Sequence, residues 1–367
     1  MNGHLCQNNF INMAIAYKSH IHKIMIEIRK EGVLLYPTDQ PFESRAVLNP
    51  AVLREGENMV MLYRAVNASG ISTIGKCVFK GPLEIIQRDK APLLIPSGEE
   101  ESTGIEDPRL VKIDGTYLLS YTAFDGMNAL GAVAVSSDLE TFERYGVIVP
   151  KIVFPAFRML AEQSGVLNPK YARYAHDKTL AKDNKPLLVW DKDLVFFPRR
   201  INSKLYLMHR IKPDIQLASG VNLSDFDKPF WEDYLKHFET HILLRPKFAH
   251  EVSYIGGGCP PIETEWGWLV IYHGVCDTPD GYQYSASAAL LELDNPEREI
   301  SRLPYPLFYP EENWECDGEV NNVCFPSGAA IFSGRLYIYY GAADSCIACA
   351  SVDLKALCVE LWHFHDL

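Results

Sequence analysis

Gly104-Ile105-Glu106-Asp107-Pro108-Arg109 sets two carboxylates and a guanidinium beside a proline. Proline disfavours helical backbone in the residue before it, so Asp107 is expected in extended conformation at the start of a strand. Leu110-Val111-Lys112-Ile113, then Asp114-Gly115, then Tyr117-Leu118-Leu119-Ser120-Tyr121-Thr122 read as strand, tight turn, strand. A side chain at that point can face a cavity. Taken alone, the hexapeptide serves equally well to pair Arg109 or cap a turn. Lys192, Arg210, His273 and Arg64 change the reading. One acid opposed by a cluster of cations suits acid-assisted cleavage with an anion as co-substrate, because Arg and His form charge-assisted bonds to phosphate oxygens. An acid in that role must carry a proton, so burial or the neighbouring Glu106 is expected to raise the pKa of Asp107.

The elements that must position these groups recur along the chain. Apolar strands appear at Met59–Ala65, Tyr117–Ala123, Leu205–Arg210, Trp268–Gly274 and Leu336–Ala342, roughly 50 to 90 residues apart. Each follows a turn signal: Glu55-Gly56, Asp114-Gly115, Asn202-Ser203, Trp266-Gly267 and Ser333-Gly334. Most precede a small-residue strand such as Gly131–Val135 or Ser285–Leu291. A multi-strand unit repeated five times at this period predicts an all-β fold, a five-bladed β-propeller, with an N-terminal extension over residues 1–30 and a catalytic domain over 31–367. The polar residue falls at one place in each copy: Arg64, Thr122, Arg210, His273 and Gly341–Asp344. These positions are expected to converge on one axial pocket. Residues 151–186 and the aromatic-rich 225–250 interrupt the repeat as insertions. In the extension, Tyr17, Ile21, Ile24 and Ile28 fit a helix while Ile24, Ile26 and Ile28 fit a strand. Tyr63, Tyr121 and Tyr272 at strand ends suit sugar stacking, although aromatics in strands more often pack in the core.

Composition narrows the function. The 367 residues are 47% hydrophobic and 22% charged, enough for a full core. A net charge of −12 argues against nucleic acid or an anionic membrane as partner. No apolar run is long enough to span a bilayer, and no signal peptide is evident in residues 1–30. Nine scattered cysteines suit a reducing cytoplasm. Cys346-Ile347-Ala348-Cys349 has metal-site spacing but lacks a second pair, so no metal is expected. Gly256-Gly257-Gly258 lacks the Lys-Ser/Thr of a nucleotide loop and reads as a tight turn.

Several ordered motifs resemble glycoside hydrolase family 130. They are Asn49-Pro50, Leu62-Tyr63-Arg64-Ala65, Gly104–Arg109, Lys192–Pro198, Met208-His209-Arg210, Pro260-Pro261-Ile262, Ile271-Tyr272-His273-Gly274 and Tyr340–Asp344. The resemblance spans about residues 33 to 355 and implies a five-bladed propeller acting on β-mannosides. Most members are inverting phosphorylases that release α-mannose 1-phosphate, with inorganic phosphate as co-substrate and no other cofactor. Asp107 then matches the general acid. Asn49, Arg64 and Asp344 match positions that hold the mannosyl residue, and Lys192, Arg210 and His273 match positions around phosphate. Tyr254 departs from the pattern, since many relatives carry Lys there; a tyrosine keeps one hydrogen bond and loses one charge. The insertion at 151–186 is expected to shape the acceptor side or a homo-oligomer contact. Two alternatives remain: an inverting hydrolase with Glu251 or Asp193 as base, and a non-catalytic glycan-binding propeller.

Overall fold

The computed structural model describes residues 26–174, 185–279 and 281–365, and within them the chain is mostly β. Strands β1 to β21 run Arg29–Leu35, Ala46–Glu55, Asn58–Val66, Ser72–Lys80, Glu84–Arg88, Gly104–Ile113, Thr116–Phe124, Ala129–Ser136, Glu143–Val147, Lys192–Phe196, Leu205–Arg210, Ile215–Gly220, Ile242–Leu244, Tyr254–Gly257, Ile262–Thr264, Gly267–Thr278, Gly281–Leu291, Glu299–Arg302, Cys324–Phe332, Arg335–Ala342 and Cys346–Asp353. They form successive antiparallel units: β2 to β5, β6 to β9, β10 to β13, then β14-β16-β17-β18 with β15 alongside. In the last unit, β19-β20-β21 is completed by β1 from the other end of the chain. The first two units share a sheet through one parallel pairing, Ser72 with Gly104.

Turn chemistry fixes the register. Asp114-Gly115 and Ser333-Gly334 have positive φ at both central residues, the twist that joins two strands in a tight hairpin. In those hairpins Thr122 pairs with Glu106 and Gly341 with Phe325, and in the other units Arg64 pairs with Leu48, Arg210 with Lys192 and His273 with Gly256. The five positions expected to be equivalent are equivalent.

Side chains alternate between sheet faces, and here both faces are buried. On β16, Leu269 and Ile271 join one core with Leu336 and Ile338 of the last unit, whereas Trp268 and Val270 join another with Val195 and Met208. Each unit shares a core with the next, and the last shares one with the first, where Ala330 and Tyr339 meet Val47 and Met61.

A buried acid recurs at these junctions. The Tyr63 hydroxyl donates to Glu43 at 2.6 Å and that of Tyr121 to Glu101 at 2.6 Å; Tyr272 donates to Glu251 and Tyr340 to Glu315. Each carboxylate also takes a cation from the fourth strand of its own unit, respectively Arg88, Arg144, Arg302 and Lys30. In the third unit, Asp191 instead meets His209 at 2.9 Å. A buried carboxylate is tolerated only when paired and hydrogen-bonded, so these sets tie inner and outer strands together. The tyrosines expected to stack on sugar are therefore core residues, each at most 1% exposed. Glu251 has no exposed surface and is held by Tyr272, Arg302 and the Lys247 and Phe248 N–H groups, which removes it as a candidate base.

The expected boundary at residue 30 falls inside β1, which is part of the sheet. Of the stretch 17–28 read as helix or strand, residues 17–25 lie outside the described residues and 26–28 are in neither, leading directly into β1. The two insertions pack on each other: Phe154, Phe157 and Tyr171 of the first share a core with Phe226, Trp231, Tyr234 and Phe238 of the second. The second insertion ends in a proper fourth strand, β13. No described helix is long and apolar enough to cross a membrane. No disulfide joins two of the described cysteines. Cys346 and Cys349 face different cores on opposite sides of β21, so they cannot jointly hold a metal.

Candidate active site

The first strand of four units is bulged where it passes the site: between Leu48 and Ala51, Glu106 and Arg109, Lys192 and Val195, and Pro326 and Gly328. Three of these bulges present Asn49, Asp107 and Asp193, with φ of 49°, 50° and 53°. Asp344, in the turn between β20 and β21, has φ of 50°. The extended backbone expected for Asp107 is thus incorrect. Asn and Asp enter the left-handed region more readily than other non-glycine residues, and a bulge swings the side chain out of strand alternation. Two glycines make room. A Cβ on Gly341 would stand 2.1 Å from Asn49 Oδ1, and one on Gly256 would stand 2.4 Å from Asp193 Oδ2. Gly256 and Gly257 lie within β14, so the expected tight turn is a strand admitted by small residues.

The carboxylate side of the site is assembled from three units. Asp107 is 5% exposed. Its Oδ1 accepts from Asn49 Nδ2 at 2.6 Å and faces an Arg64 terminal nitrogen at 3.4 Å; its Oδ2 lies 3.0 Å from Lys192 Nζ. Arg64 also donates to Glu106 at 2.5 Å and to Ser72 at 2.9 Å. Burial pushes the Asp107 carboxyl up, but Lys192, Arg64, the Asn49 hydrogen bond and Arg109 together outweigh it and hold the group well below the usual carboxylate range. The expectation of a raised pKa is therefore wrong among these neighbours. That expectation weighed burial and Glu106 but not the opposing pull of Arg109, two residues along, or of Lys192, Arg64 and Asn49 from distant parts of the chain. Asp344 goes the other way. Burial, with Asp107 and Glu106 adding to it, raises the carboxyl to about 6 against the opposing pull of Arg64 and Lys192.

The basic side adjoins it. Arg210 faces Asp193 at 2.8 Å and donates to His273 Nε2 at 3.1 Å. An arginine can only donate, so that imidazole nitrogen is the acceptor. Burial, then Arg210 and Arg109, hold His273 well below its usual pKa. It enters the cluster as a neutral ring that orients Arg210, not as the expected cation. Arg109 is spent on main chain, donating to the carbonyls of Asp107, Pro108, Gly257 and Gly258. Lys192 lies between the two sides. Burial opposes its charge, but Asp107, Glu106 and Asp193 prevail and raise its pKa. Tyr254 is buried and its hydroxyl bonds that of Tyr284, while Lys212 Nζ lies 3.8 Å from the Tyr254 ring centroid. Both Asp193 oxygens, Arg210 Nε, His273 Nδ1 and Asn49 Oδ1 are buried without a hydrogen-bond partner among the described residues. Asp193, neutralised by Arg210, is a poor candidate base.

All eight residues singled out in the sequence thus lie in one continuous set of contacts and electrostatic couplings. Lys212 is the addition, and Asp193, weighed in the sequence only as a hydrolase base, enters as the partner of Arg210. The signal for Asp193 was present, as an Asx residue one position after Lys192, matching Asp107 after Glu106.

The family described as beta-1,4-mannooligosaccharide phosphorylase, glycoside hydrolase family 130, matches residues 19–360. The chain belongs to family 130. It is 30% identical over 345 residues to the 1,2-beta-oligomannan phosphorylase of Thermoanaerobacter sp. (strain X514), covering 90% of this chain and 99% of that one. It is 35% identical over 178 residues to the beta-1,4-mannooligosaccharide phosphorylase of Ruminococcus albus, covering 47% and 51% of the two chains. The beta-1,2-mannobiose phosphorylase of Listeria innocua, solved with beta-1,2-mannobiose, superposes with a TM-score of 0.68 at 23% identity, over 91% of this chain and 99% of that one.

Proposed function

We propose that this family 130 chain cleaves β-mannosides by phosphorolysis, with inversion to α-mannose 1-phosphate, on a five-bladed β-propeller. Five antiparallel units, cores shared in a cycle from the last back to the first, and one recurring acid at the junctions support that architecture. The phosphorylase relatives that align over most of the chain support the reaction. The observation that carries it is Lys192, placed 3.0 Å from Asp107 and coupled to the Arg210 group beyond.

An inverting hydrolase needs a second carboxylate to activate water. The two candidates here are consumed by buried partners, Glu251 by Tyr272 and Arg302, Asp193 by Arg210. A phosphate dianion is already a nucleophile and needs cations to hold it. Its charge beside Lys192 and Arg210 offsets the field that keeps Asp107 ionised, so phosphate binding raises the proton affinity of Asp107 and prepares it as general acid. Arg64 and Asn49 hold Asp107 in place and, with Asp344, bind the mannosyl residue. Inorganic phosphate is the co-substrate, and nine cysteines scattered along the chain fit a reducing cytoplasm.

The test is product identity from β-1,2- and β-1,4-mannobiose, with and without phosphate. Mannose 1-phosphate should form only with phosphate. Free mannose at equal rates in both buffers would sink the proposal.

Asp344 gives a pH signature. Its raised pKa means that it takes up a proton near pH 6, where an ordinary aspartate stays ionised. Once protonated it loses an acceptor for sugar hydroxyls. At saturating phosphate, kcat/KM for the mannoside should therefore fall as pH drops through about 6. Asp344→Asn should lower the plateau and abolish that limb; a variant profile parallel to wild type would assign the limb elsewhere.

A further inference from the structure

Lys212 follows Arg210 at the end of β11, and its surroundings fix it with unusual completeness. The Gln216 side chain donates to the Ile211 carbonyl at 3.0 Å and accepts from the Ile211 N–H at 2.7 Å. The Pro213 carbonyl accepts from the Ile255 N–H at 3.0 Å, next to Tyr254 in the following unit. Asp214 accepts from the Tyr171 hydroxyl at 2.5 Å, so the helix Lys170–Tyr174 of the first insertion braces the same turn. The turn is thus clamped from itself, from the next unit and from the insertion.

On this support the Lys212 ammonium lies over the face of Tyr254, 3.8 Å from the centroid, and the Arg210 guanidinium approaches the same ring at 5.4 Å. A ring face attracts a cation and is a directional seat for it. Burial, then Arg210 and Lys192, press the Lys212 pKa well below its ordinary value, with Asp193 pulling the other way. Lys192, Arg210 and Lys212 are thus gathered around one buried aspartate, Asp193, beyond which Asp107 is already shared with Arg64. Among the described residues Asp193 is the carboxylate coupled to all three, and Arg210 Nε has no hydrogen-bond partner there.

We propose that Lys212 contacts the phosphate co-substrate, with Tyr254 as the platform that seats its ammonium beside Arg210. The inference rests on the phosphorylase reading and deepens it. Tyr254, whose hydroxyl is bonded to Tyr284, then acts through its ring and not as a hydrogen-bond donor to the anion. The insertion acquires a role as well, since Tyr171 holds the turn that carries Lys212.

The test compares wild type, Lys212→Met, Lys212→Arg and Tyr254→Leu. Inorganic phosphate binding is followed by titration calorimetry, the two KM values by initial rates, and folding by circular dichroism. Removing one charge-assisted contact should raise the phosphate Kd and KM about tenfold in Lys212→Met and leave the mannoside KM unchanged. Lys212→Arg should recover most of the loss, and Tyr254→Leu should show a smaller rise of the same kind. Normal phosphate KM in Lys212→Met, with wild-type phosphorolysis intact, would overturn this inference alone. An equal rise in both KM values, or an altered spectrum, would reduce Lys212 to a structural residue and also overturn it. No phosphate binding by wild type, with free mannose as sole product, would overturn both readings.

Discussion

Asp107→Asn should lower turnover of an unactivated β-mannobiose by about 10²–10⁴-fold, the usual contribution of a general acid. Asparagine keeps the side-chain shape but cannot give up a proton to the leaving oxygen. Its neighbours complicate a rate measurement taken alone, because Lys192 at 3.0 Å and Arg64 at 3.4 Å both face the carboxylate. A substrate whose leaving group needs no proton, such as a dinitrophenyl β-mannoside, separates the effects. With phosphate present, that substrate should be turned over by the variant within about tenfold of wild type, whereas a lost binding site would impair both substrates alike. Near-normal turnover of mannobiose would reassign the acid, with Glu106 next in line.

Arg210→Ala should raise the phosphate requirement by about ten- to a hundredfold, from a charge-assisted bond of roughly 1.5–3 kcal/mol at 1.4 kcal/mol per decade. The mannoside KM should move far less. Arg210 also neutralises Asp193, whose side chain has no exposed surface. Breaking such a buried pair costs about 3–5 kcal/mol, so the single variant should lose thermal stability too. The Arg210→Ala, Asp193→Asn double variant removes the orphaned charge. It should regain most of the stability and none of the phosphate affinity. Recovery of both would show that Arg210 acts only by keeping Asp193 in place.

Strand order and register were legible because their determinants are local. Asp114-Gly115 and Ser333-Gly334 are read directly as tight turns, and the register that follows places Thr122 opposite Glu106 and Gly341 opposite Phe325. The protonation of the site was not legible. Whether Asp107 is raised or lowered depends on Lys192, Arg64 and Asn49, which reach it from 85, 43 and 58 residues away. The left-handed Asn49, Asp107 and Asp193 leave only a weak trace, an Asx residue near a strand start. The junction acids left a stronger one that went unread: Glu43, Glu101 and Glu251 precede their tyrosines by 20, 20 and 21 residues. Lys212 escaped notice because it lies past the end of the repeating strand, where alternation says nothing about direction.

The completion of the last unit by β1 has a consequence for biosynthesis. The ribosome makes Arg29–Leu35 more than 300 residues before the strand it pairs with, Cys346–Asp353. At about 5–20 residues per second the interval is on the order of tens of seconds. Throughout it Val33, Leu34 and Leu35 have no sheet to join, and the Lys30 ammonium has no Glu315 to meet. An apolar strand edge left open that long is a template for the wrong partner, including the same segment of a neighbouring nascent chain. The middle units can form in order as they emerge, but the cycle of cores is sealed in a final step that joins two distant parts of the chain. Chaperone dependence and the yield of active protein at high expression should therefore respond to how these seven residues are shielded until their partner strand is made.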